Sequence, residues 1–297
     1  MKFSIGSDGE LMVYDQHGNL KSAIGTVQGS KETKLDLGNG HFAFYDNVLA
    51  ECNLAPAESE KQFLNNIRDC YQRYAKAIYP NRLVPQASAK YPAAELDHPD
   101  AKAFGCSPSY NAYSVSQTPP VHCDEASNFR TGGGHIHLGG QGILQDDWGK
   151  IWVVRMMDLF LSVPSIFIDW DPTSTARRKL YGAPGDHRPT DYGVEYRSIS
   201  NFWLISPEYA SLIYRICDFV LDVCSNQQHE DIFKLYCGKN EMADGLVKCI
   251  NTGNKEKAQK YMEICERLMP KELWNNIQKL VGHKPKDFYE NWSISVK

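Results

Sequence analysis

Residues 131–140 read TGGGHIHLGG, a run in which glycines surround two histidines placed two residues apart. Alternate residues of a β-strand point to the same face, so we expect His135 and His137 to share one side of a strand. The glycines leave room for another backbone, or for a bound phosphate, to come close. The segment therefore predicts either a site for a metal-bound anionic ligand or a buried strand with two hydrogen-bonded histidines.

The composition of the 297-residue chain is that of a globular protein with a large core. A net charge of −4 argues against a basic nucleic-acid binder, and we expect no sequence-specific binding of nucleic acid. The sequence has no run of 18 apolar residues and no signal-peptide pattern, which predicts no membrane span and a cytoplasmic location, the host cytoplasm if the chain is phage-encoded. Its nine cysteines form no C-x-x-C pair and are expected to be reduced.

The predicted elements are strands in the first part of the chain and mostly helices in the last part, which favours an α+β fold. Strands are expected within the first 55 residues, including a hairpin over residues 42–51, and a strand over 194–199. Helices are expected over 59–78 and 146–161, from residue 206 onward, and over 228–236, 241–250, 254–268 and 270–281. Residues 171–192 are polar and predict a long loop, a kind of segment that is often functional.

Acidic residues in the strand regions are the first candidates for a shared site. Asp8 and Glu10 are two residues apart, and carboxylates on one strand face repel each other unless a cation lies between them. Glu51 stands in apolar sequence, where an acid is rarely buried without a partner. The alternatives are a solvent-facing edge strand for the first pair and a buried salt bridge for Glu51.

Two basic segments are the remaining candidates. Glu195 and Arg197 also share a strand face, where they would hold a metal and an anion together or form a simple ion pair. The predicted loop carries Arg177, Arg178 and Arg188, which would clamp phosphates or lie solvated. Carboxylates with one or two imidazoles suit Mg²⁺ or Mn²⁺ and, without a thiolate cluster, suit structural zinc poorly. The sequence contains neither a Walker A motif nor a Gly-x-Gly-x-x-Gly fingerprint.

In their order along residues 4–205, these segments resemble the glutamine synthetase-like carboxylate–amine ligases, and most closely the phage-type COOH·NH2 ligase (amidoligase) branch. The similar segments are an acid-x-acid strand, a Glu-x-Asn element, a Gly-x-His-x-His-type strand, an arginine segment and a Glu-x-Arg strand, at residues 8–10, 51–53, 134–137, 177–188 and 195–197. The resemblance implies a curved, mainly antiparallel sheet backed by helices. It also implies a catalytic core over residues 1–205 and a helical portion over 206–297 packed on the same domain.

The resemblance further implies ATP-dependent amide formation through an acyl phosphate, with Mg²⁺ or Mn²⁺ as cofactor. Its partners would be small-molecule or peptide carboxylates and amines, and the oligomeric state is left open. The implied metal ligands are Asp8, Glu10, Glu51, His135 and Glu195. The residues expected to contact the nucleotide are His137, Arg188, Arg197 and Lys31. The arginines expected to neutralise the transferring phosphoryl group are Arg177, Arg178, Arg188 and Arg197.

Two departures from the family pattern bear on the number of metals. The first pair is Asp-x-Glu rather than Glu-x-Glu, and the second element offers Asn53 in place of a carboxylate. Both favour two bound metals rather than three. Two other functions compete with the ligase: a zinc hydrolase that uses His135 and His137 to activate water, and a non-catalytic nucleotide- or metal-binding phage protein.

Overall fold

The structure, a computed structural model, describes residues 2–102, 108–118, 127–236 and 240–296. Its strands are β1 (Phe3–Tyr14), β2 (Leu20–Lys21), β3 (Leu35–Gly38), β4 (His41–Asp46), β5 (Leu49–Asn53), β6 (Arg82–Val84), β7 (Ser88–Lys90), β8 (Tyr110–Asn111), β9 (Ser116–Gln117), β10 (Phe129–Thr131), β11 (Gly134–Gly140), β12 (Asp186–Thr190) and β13 (Gly193–Tyr196). Its helices are α1 (Glu60–Ala77), α2 (Pro99–Lys102), α3 (Asp147–Met157), α4 (Val163–Ile168), α5 (Ser174–Arg178), α6 (Pro207–Ser225), α7 (His229–Tyr236), α8 (Asn240–Thr252), α9 (Lys255–Leu268), α10 (Lys271–Leu280) and α11 (Phe288–Trp292).

Eleven of these strands form one open antiparallel sheet, which confirms the predicted α+β class. The strand order is β3-β4-β5-β1-β11-β13-β12-β8-β9, and β2 and β6 also pair with β1. The long strand β1 lies in the middle, with β5 on one side and β11 on the other. Its residues are nearly all buried, so side chains on both faces of the centre of the sheet are shielded from water.

The predicted hairpin over residues 42–51 is confirmed by β4 and β5, which join through Asn47 and Val48. Asn47 takes the left-handed conformation, with φ of 53°, that this tight connection requires and that asparagine tolerates better than most residues. The predicted helix over 59–78 is α1. Ser59 caps its first turn by accepting a hydrogen bond from the N–H of Gln62.

The helix expected over 146–161 is longer than the sequence suggested. It begins at Asp147, passes through a π-helical turn at Asp158–Ser162 and runs on to Ile168. The π-helical turn changes the hydrogen bonding just before Pro164, which has no N–H to donate, so the helix continues past that residue. The segment Asp147–Ile168 has the length and composition of a membrane span, but 78% of its most apolar window is buried within the protein, as in a core helix.

The predicted loop over residues 171–192 is wrong, because α5 and β12 both lie within it. Several of its polar side chains are buried and hydrogen-bonded within the protein, although Lys179 and Asp191 are exposed. Asp171, for example, accepts hydrogen bonds from the backbone N–H groups of Ala87 and Thr173. High polarity in this segment therefore reflected internal hydrogen bonding, which polarity alone does not distinguish from a solvated loop.

The helices after residue 206 pack on the same core as the sheet, with one hydrophobic cluster extending from β1 to α11. The ring of Phe3 in β1 stacks on Tyr214 in α6 at 5.4 Å, and Tyr71 in α1 meets Phe288 in α11 at 5.2 Å. The helices expected over 228–236, 241–250, 254–268 and 270–281 correspond to α7–α10. Six of the nine cysteines lie within the described residues with free thiols, all of them buried, while Cys106, Cys123 and Cys237 lie outside those residues.

Candidate active site

Five neighbouring strands carry the predicted site residues side by side on one face of the sheet. Across the centre of the sheet, Glu10 on β1 pairs with Glu51 on β5. Asp8 on β1 pairs with His135 on β11, and two residues further along β11, His137 pairs with Glu195 on β13. Their i,i+2 spacing and antiparallel registers place these side chains together, although they are far apart in sequence.

The first cluster consists of Asp8, His137 and Glu195, whose ligand atoms all lie within 4.8 Å of one another. The Nε2 atom of His137 is 2.8 Å from Oδ1 of Asp8. Glu195 is almost fully buried, and its Oε1 atom accepts no hydrogen bond in the structure. This oxygen lies 3.2 Å from Nε of Arg197, an ion pair without hydrogen-bond geometry, and it is a position that a bound cation would also satisfy.

The second cluster consists of Glu10, Asp46 and Glu51, which also offer ligand atoms within 4.8 Å. Glu10 and Glu51 are buried, and Asp46 is partly exposed at the end of β4. The sequence analysis missed Asp46 because the pair Asp46-Asn47 is typical of a hairpin turn. Lys31 lies beside this cluster, with its Nζ atom 2.7 Å from Oδ1 of Asp46.

His135 lies between the two clusters. Its Nδ1 atom is 3.3 Å from Oδ1 of Asp8 and 3.6 Å from Oε1 of Glu195. Its Nε2 atom is buried without a hydrogen-bond partner, on the side of Gly133, whose N–H donates to Oε2 of Glu10 at 2.6 Å. Nδ1 therefore faces acids of the first cluster, and Nε2 lies beside the backbone that binds Glu10 of the second.

The pKa values of these acids reflect burial and mutual repulsion. Burial raises the pKa of Glu10, and it raises the pKa of Glu51 well above the usual range with the help of the charges on Asp8 and Glu10. Burial and the charge on Asp8 raise the pKa of Glu195 to about 7. Burial also acts to raise the pKa of Asp8, but the charges of His137 and His135 outweigh it and lower that pKa. A divalent cation would favour the ionised forms of all four acids.

Two of the four predicted arginines lie at the first cluster. Arg188 donates from Nη1 to Oε2 of Glu195 at 2.7 Å, and Nε of Arg197 is 3.2 Å from Oε1 of the same residue. Arg197 is buried, and its Nε and Nη1 atoms form no hydrogen bond. Since Nε already faces Glu195 and a buried guanidinium normally has its donors satisfied, Nη1 is the donor that an added anion would satisfy.

The other two arginines lie on helix α5 rather than on a loop, and they form hydrogen bonds within the protein. Arg177 is fully buried and donates to the backbone carbonyls of Gly132, Ser198 and Arg197. Arg177 thus links the backbone just before β11 to the backbone just after β13, beneath the site. Arg178 donates to the carbonyl of Ile250 and to Ser165, and the structure does not bring it to either cluster.

The glycines before His135 are approached by protein groups. A Cβ on Gly134 would lie 2.5 Å from the carbonyl oxygen of Ser200 and from the indole nitrogen of Trp203. The bare backbone there serves the close packing of the 3₁₀ turn Asn201–Ile205 against β11. Close packing therefore accounts for the glycines. The interpretation of His135 and His137 as part of a site does not depend on them.

Two tyrosines at the site were not predicted. Tyr181 packs its ring against His135, Arg177 and Arg197, at 5.7, 5.4 and 5.0 Å respectively. The hydroxyl of Tyr192 hydrogen-bonds to Nδ1 of His137. Neither residue lies in a motif, and their distance in sequence from the histidines gave no signal of these contacts.

A cavity of about 410 Å³ opens beside His137. Its lining comes from the ends of β1, β5 and β11 and from the turn before β13, and consists of Ser4, Gly6, Ser7, Asn53, Leu54, Pro56, His137, Gly139 and Tyr192. Within the part of the chain that the structure describes, the lining contains no acidic residue, lysine or arginine. The cavity therefore suits an uncharged part of a ligand whose charged part reaches the first cluster.

Residues 123–294 match the family described as phage phiEco32-like COOH·NH2 ligase type 2. The matched part includes β11, β13 and the helices after residue 206, and it covers more than half of the chain. No curated protein matches the chain.

Proposed function

Because the chain belongs to the phage phiEco32-like COOH·NH2 ligase type 2 family, and is therefore a carboxylate–amine ligase, we propose that it activates its carboxylate substrate with ATP. A carboxylate oxygen attacks the γ-phosphorus of ATP, forming an acyl phosphate as the bond to ADP breaks. The amine nitrogen then attacks the acyl carbon and loses a proton. The carbon–oxygen bond breaks, and the products are an amide, ADP and phosphate.

The observation that carries this proposal is the pair of adjoining ligand clusters on β1. ATP and a carboxylate are both anions, so their reaction requires cations between them. Asp8, His137 and Glu195 would hold one divalent cation, and the carboxylates of the second cluster would hold another. Their carboxylate oxygens and single imidazole are the donors that Mg²⁺ and Mn²⁺ prefer, and neither cluster contains a cysteine.

The buried polar atoms at the clusters support this fit. Oε1 of Glu195 and Nε2 of His135 have no hydrogen-bond partner, although both are buried between charged groups. Bound divalent cations would supply charge neutralisation between the phosphates and the substrate carboxylate. His135 lies between the two clusters and would ligate an ion, or position a ligand, at either of them.

The arginines would act on the phosphoryl group and the acyl phosphate. Arg197 offers buried donors without hydrogen-bond partners at Glu195, and Arg188 adds a second guanidinium there. Arg177 would keep Arg197 in place by binding its backbone carbonyl, and Tyr181 would do so by stacking. Fixed charges of this kind stabilise developing charge without reorganisation at the moment of reaction.

We assign the cavity beside His137 to the uncharged end of the nucleotide. It adjoins the first cluster, where the phosphates would meet a cation, and its lining offers an aromatic ring at Tyr192 and an amide at Asn53. A nucleoside with its base in the cavity would place its phosphates toward His137, Arg188 and Arg197. Lys31, beside the second cluster, is too close to the acids to be assigned to the base.

The test is an assay of the full chain with ATP and Mg²⁺ across pools of carboxylates and amines, measuring ADP and product mass. ADP should form in step with a product that has lost one water relative to the two substrates. Glu195→Gln and Arg197→Met should each lower turnover by about 10²–10³. Glu290→Gln is the matched control, since this exposed residue on α11 has its side chain paired with Lys286, and its turnover should be unchanged.

Three outcomes would contradict the proposal. They are wild-type turnover in Glu195→Gln, hydrolysis that proceeds without ATP on tightly held zinc, and nucleotide binding with no ADP formation under any mixture. The second would favour the zinc hydrolase and the third the non-catalytic protein.

A further inference from the structure

Lys31 is the feature of the site that the proposed reaction leaves unexplained. It lies in the segment between β2 and β3 and reaches across to Asp46 at the end of β4, with Nζ 2.7 Å from Oδ1. The Lys31 side chain is 44% exposed and that of Asp46 26% exposed. The ammonium group of Lys31 thus forms an ion pair with one ligand of the second cluster.

Other cationic groups near this cluster approach it from inside the protein. The charges of His135 and Arg177 act on Glu10, and Arg177 is tied to three backbone carbonyls. Lys31 instead approaches from the exposed side and acts on Glu51, where it opposes the effect of burial on the pKa. An ammonium in this position partly neutralises three crowded carboxylates.

The backbone that carries Lys31 is anchored, so only its side chain needs to move. A Cβ on Gly29 would lie 2.4 Å from the carbonyl oxygen of Ala43, which shows how closely this segment packs on β4. The N–H of Ser30 donates to the carbonyl of Thr33, closing a turn around Lys31. A lysine side chain has enough rotatable bonds to leave Asp46 without disturbing that turn.

We propose that Lys31 is a built-in counter-cation that competes with a divalent ion for the second cluster. Its ammonium stabilises Asp46 while the cluster holds no ion, and a divalent ion that binds all three carboxylates displaces it. Lys31 therefore lowers the affinity of the second cluster for its ion, because the ammonium must leave Asp46 before the ion can bind all three carboxylates. This inference rests on the proposed metal role of the two clusters.

Lys34 provides a matched control because it is a lysine of the same segment with a different partner. Its ammonium contacts the amide oxygen of Asn53 and lies 4.6 Å from the ring centroid of Phe44, rather than at a carboxylate of the cluster. Replacing Lys34 removes the same formal charge from the same part of the surface. Any long-range effect of net charge should therefore appear in both variants.

The experiment is a titration of the full chain with Mn²⁺ alone, following free Mn²⁺ by electron paramagnetic resonance. Lys31→Gln should bind the weaker of the two ions about tenfold more tightly than the wild type, the gain expected when one nearby, partly solvated charge is removed. Lys34→Gln should stay within about twofold of the wild type, since its ammonium contacts an amide rather than a carboxylate of the cluster and is exposed to screening by salt. In an Asp46→Asn background, the gain from Lys31→Gln should disappear.

The results also separate this inference from the proposed function. If Mn²⁺ binds the wild type but Lys31→Gln leaves its affinity unchanged or weaker, Lys31 is not a competitor and the ligase proposal stands. An equal gain in Lys34→Gln would also overturn the specific role of Lys31. If no variant binds Mn²⁺, both the competition and the metal assignment fail together.

Discussion

Asp46 and Glu195 show what spacing in the sequence reveals about single residues and what it hides. Glu195 lies on β13 and Arg197 just past its end, and their shared face follows from the period of a strand. Asp46 enters the site only because β4 pairs with β5 in a register that brings a turn residue next to Glu51. Such a register is a long-range property, which local spacing does not contain.

The π-helical turn places an ionisable residue, Asp158, in the core. Its Oδ1 atom accepts a hydrogen bond of 2.6 Å from the hydroxyl of Tyr196, and burial raises its pKa from 3.8 to about 7. The folded protein therefore holds a proton that the unfolded chain releases between about pH 4 and pH 7. Stability from this group is present at low pH and is lost as the pH rises through that window.

Asp158→Asn should remove this pH dependence, because asparagine keeps the shape and cannot ionise. Relative to the variant, the wild type should lose roughly 3 kcal/mol of unfolding free energy between pH 5 and pH 8. Urea unfolding of both proteins at pH 5 and pH 8 measures the difference. Asp222→Asn, an exposed position on α6, should show no such divergence. A gap between wild type and Asp158→Asn that is the same at both pH values would refute the assignment.

At the scale of elements, the sequence predicted those whose signals are local. The β4–β5 hairpin and α1 have turn residues and capping residues beside a clear hydrophobic period. The segment 171–192 lacks such a period, because the positions of α5 and β12 are set by buried hydrogen bonds to distant strands. The same reason explains why the surroundings of Arg177 could not be predicted: its hydrogen bonds go to backbone carbonyls of segments that are distant in sequence.

Strands β1 and β11 together form the floor of the cavity beside His137, and Gly6 gives a way to fill it. A Cβ on Gly6 would meet Cβ of His137 at 3.7 Å and the carbonyl oxygen of Leu54 at 3.8 Å, both ordinary contacts. Gly6→Leu should therefore fold and place its side chain in the cavity. We expect KM for ATP to rise about tenfold, the effect of losing one or two kcal/mol of binding, with little change in kcat.

Gly6→Ala serves as the graded control and should differ little from the wild type. Melting temperatures of all three proteins would show whether the substitutions disturb the sheet. A rise in KM for the carboxylate or the amine, with KM for ATP unchanged, would move the cavity to the organic substrate. No change in any KM would remove it from the site.

At the scale of the whole molecule, the sheet and the C-terminal helices are expected to be inseparable. The resemblance of motifs was found over residues 4–205, yet the family match covers 123–294 and includes helices that carry no motif. Their contribution is apolar: Tyr214 and Phe288 pack on the sheet and on α1, and the indole of Trp292 donates to the carbonyl of Leu204. Packing of this kind leaves only a hydrophobic period in the sequence, which many folds share.

A fragment of residues 1–205 should therefore fail to fold cooperatively. It would expose the apolar surfaces of β1 and α1 that α6 and α11 cover, a loss far greater than the stability of a typical domain. Near-ultraviolet circular dichroism and thermal unfolding of the fragment and the full chain test this expectation. A sharp unfolding transition in the fragment, with the near-ultraviolet spectrum of the full chain, would show that residues 1–205 are an independent domain.

Both acidic clusters take a member from β1, Asp8 in one and Glu10 in the other, separated only by Gly9. The offset between the two members is the stride of one strand dipeptide, about 6.6 Å, and is set by covalent geometry rather than by flexible segments. Strand β1 therefore fixes the spacing between the two clusters, while the residues around them can vary. Relatives that accept different acids or amines would then be expected to differ in the residues around the pockets. Deleting Gly9 alone would place Asp8 and Glu10 on opposite faces of the sheet and abolish this fixed spacing.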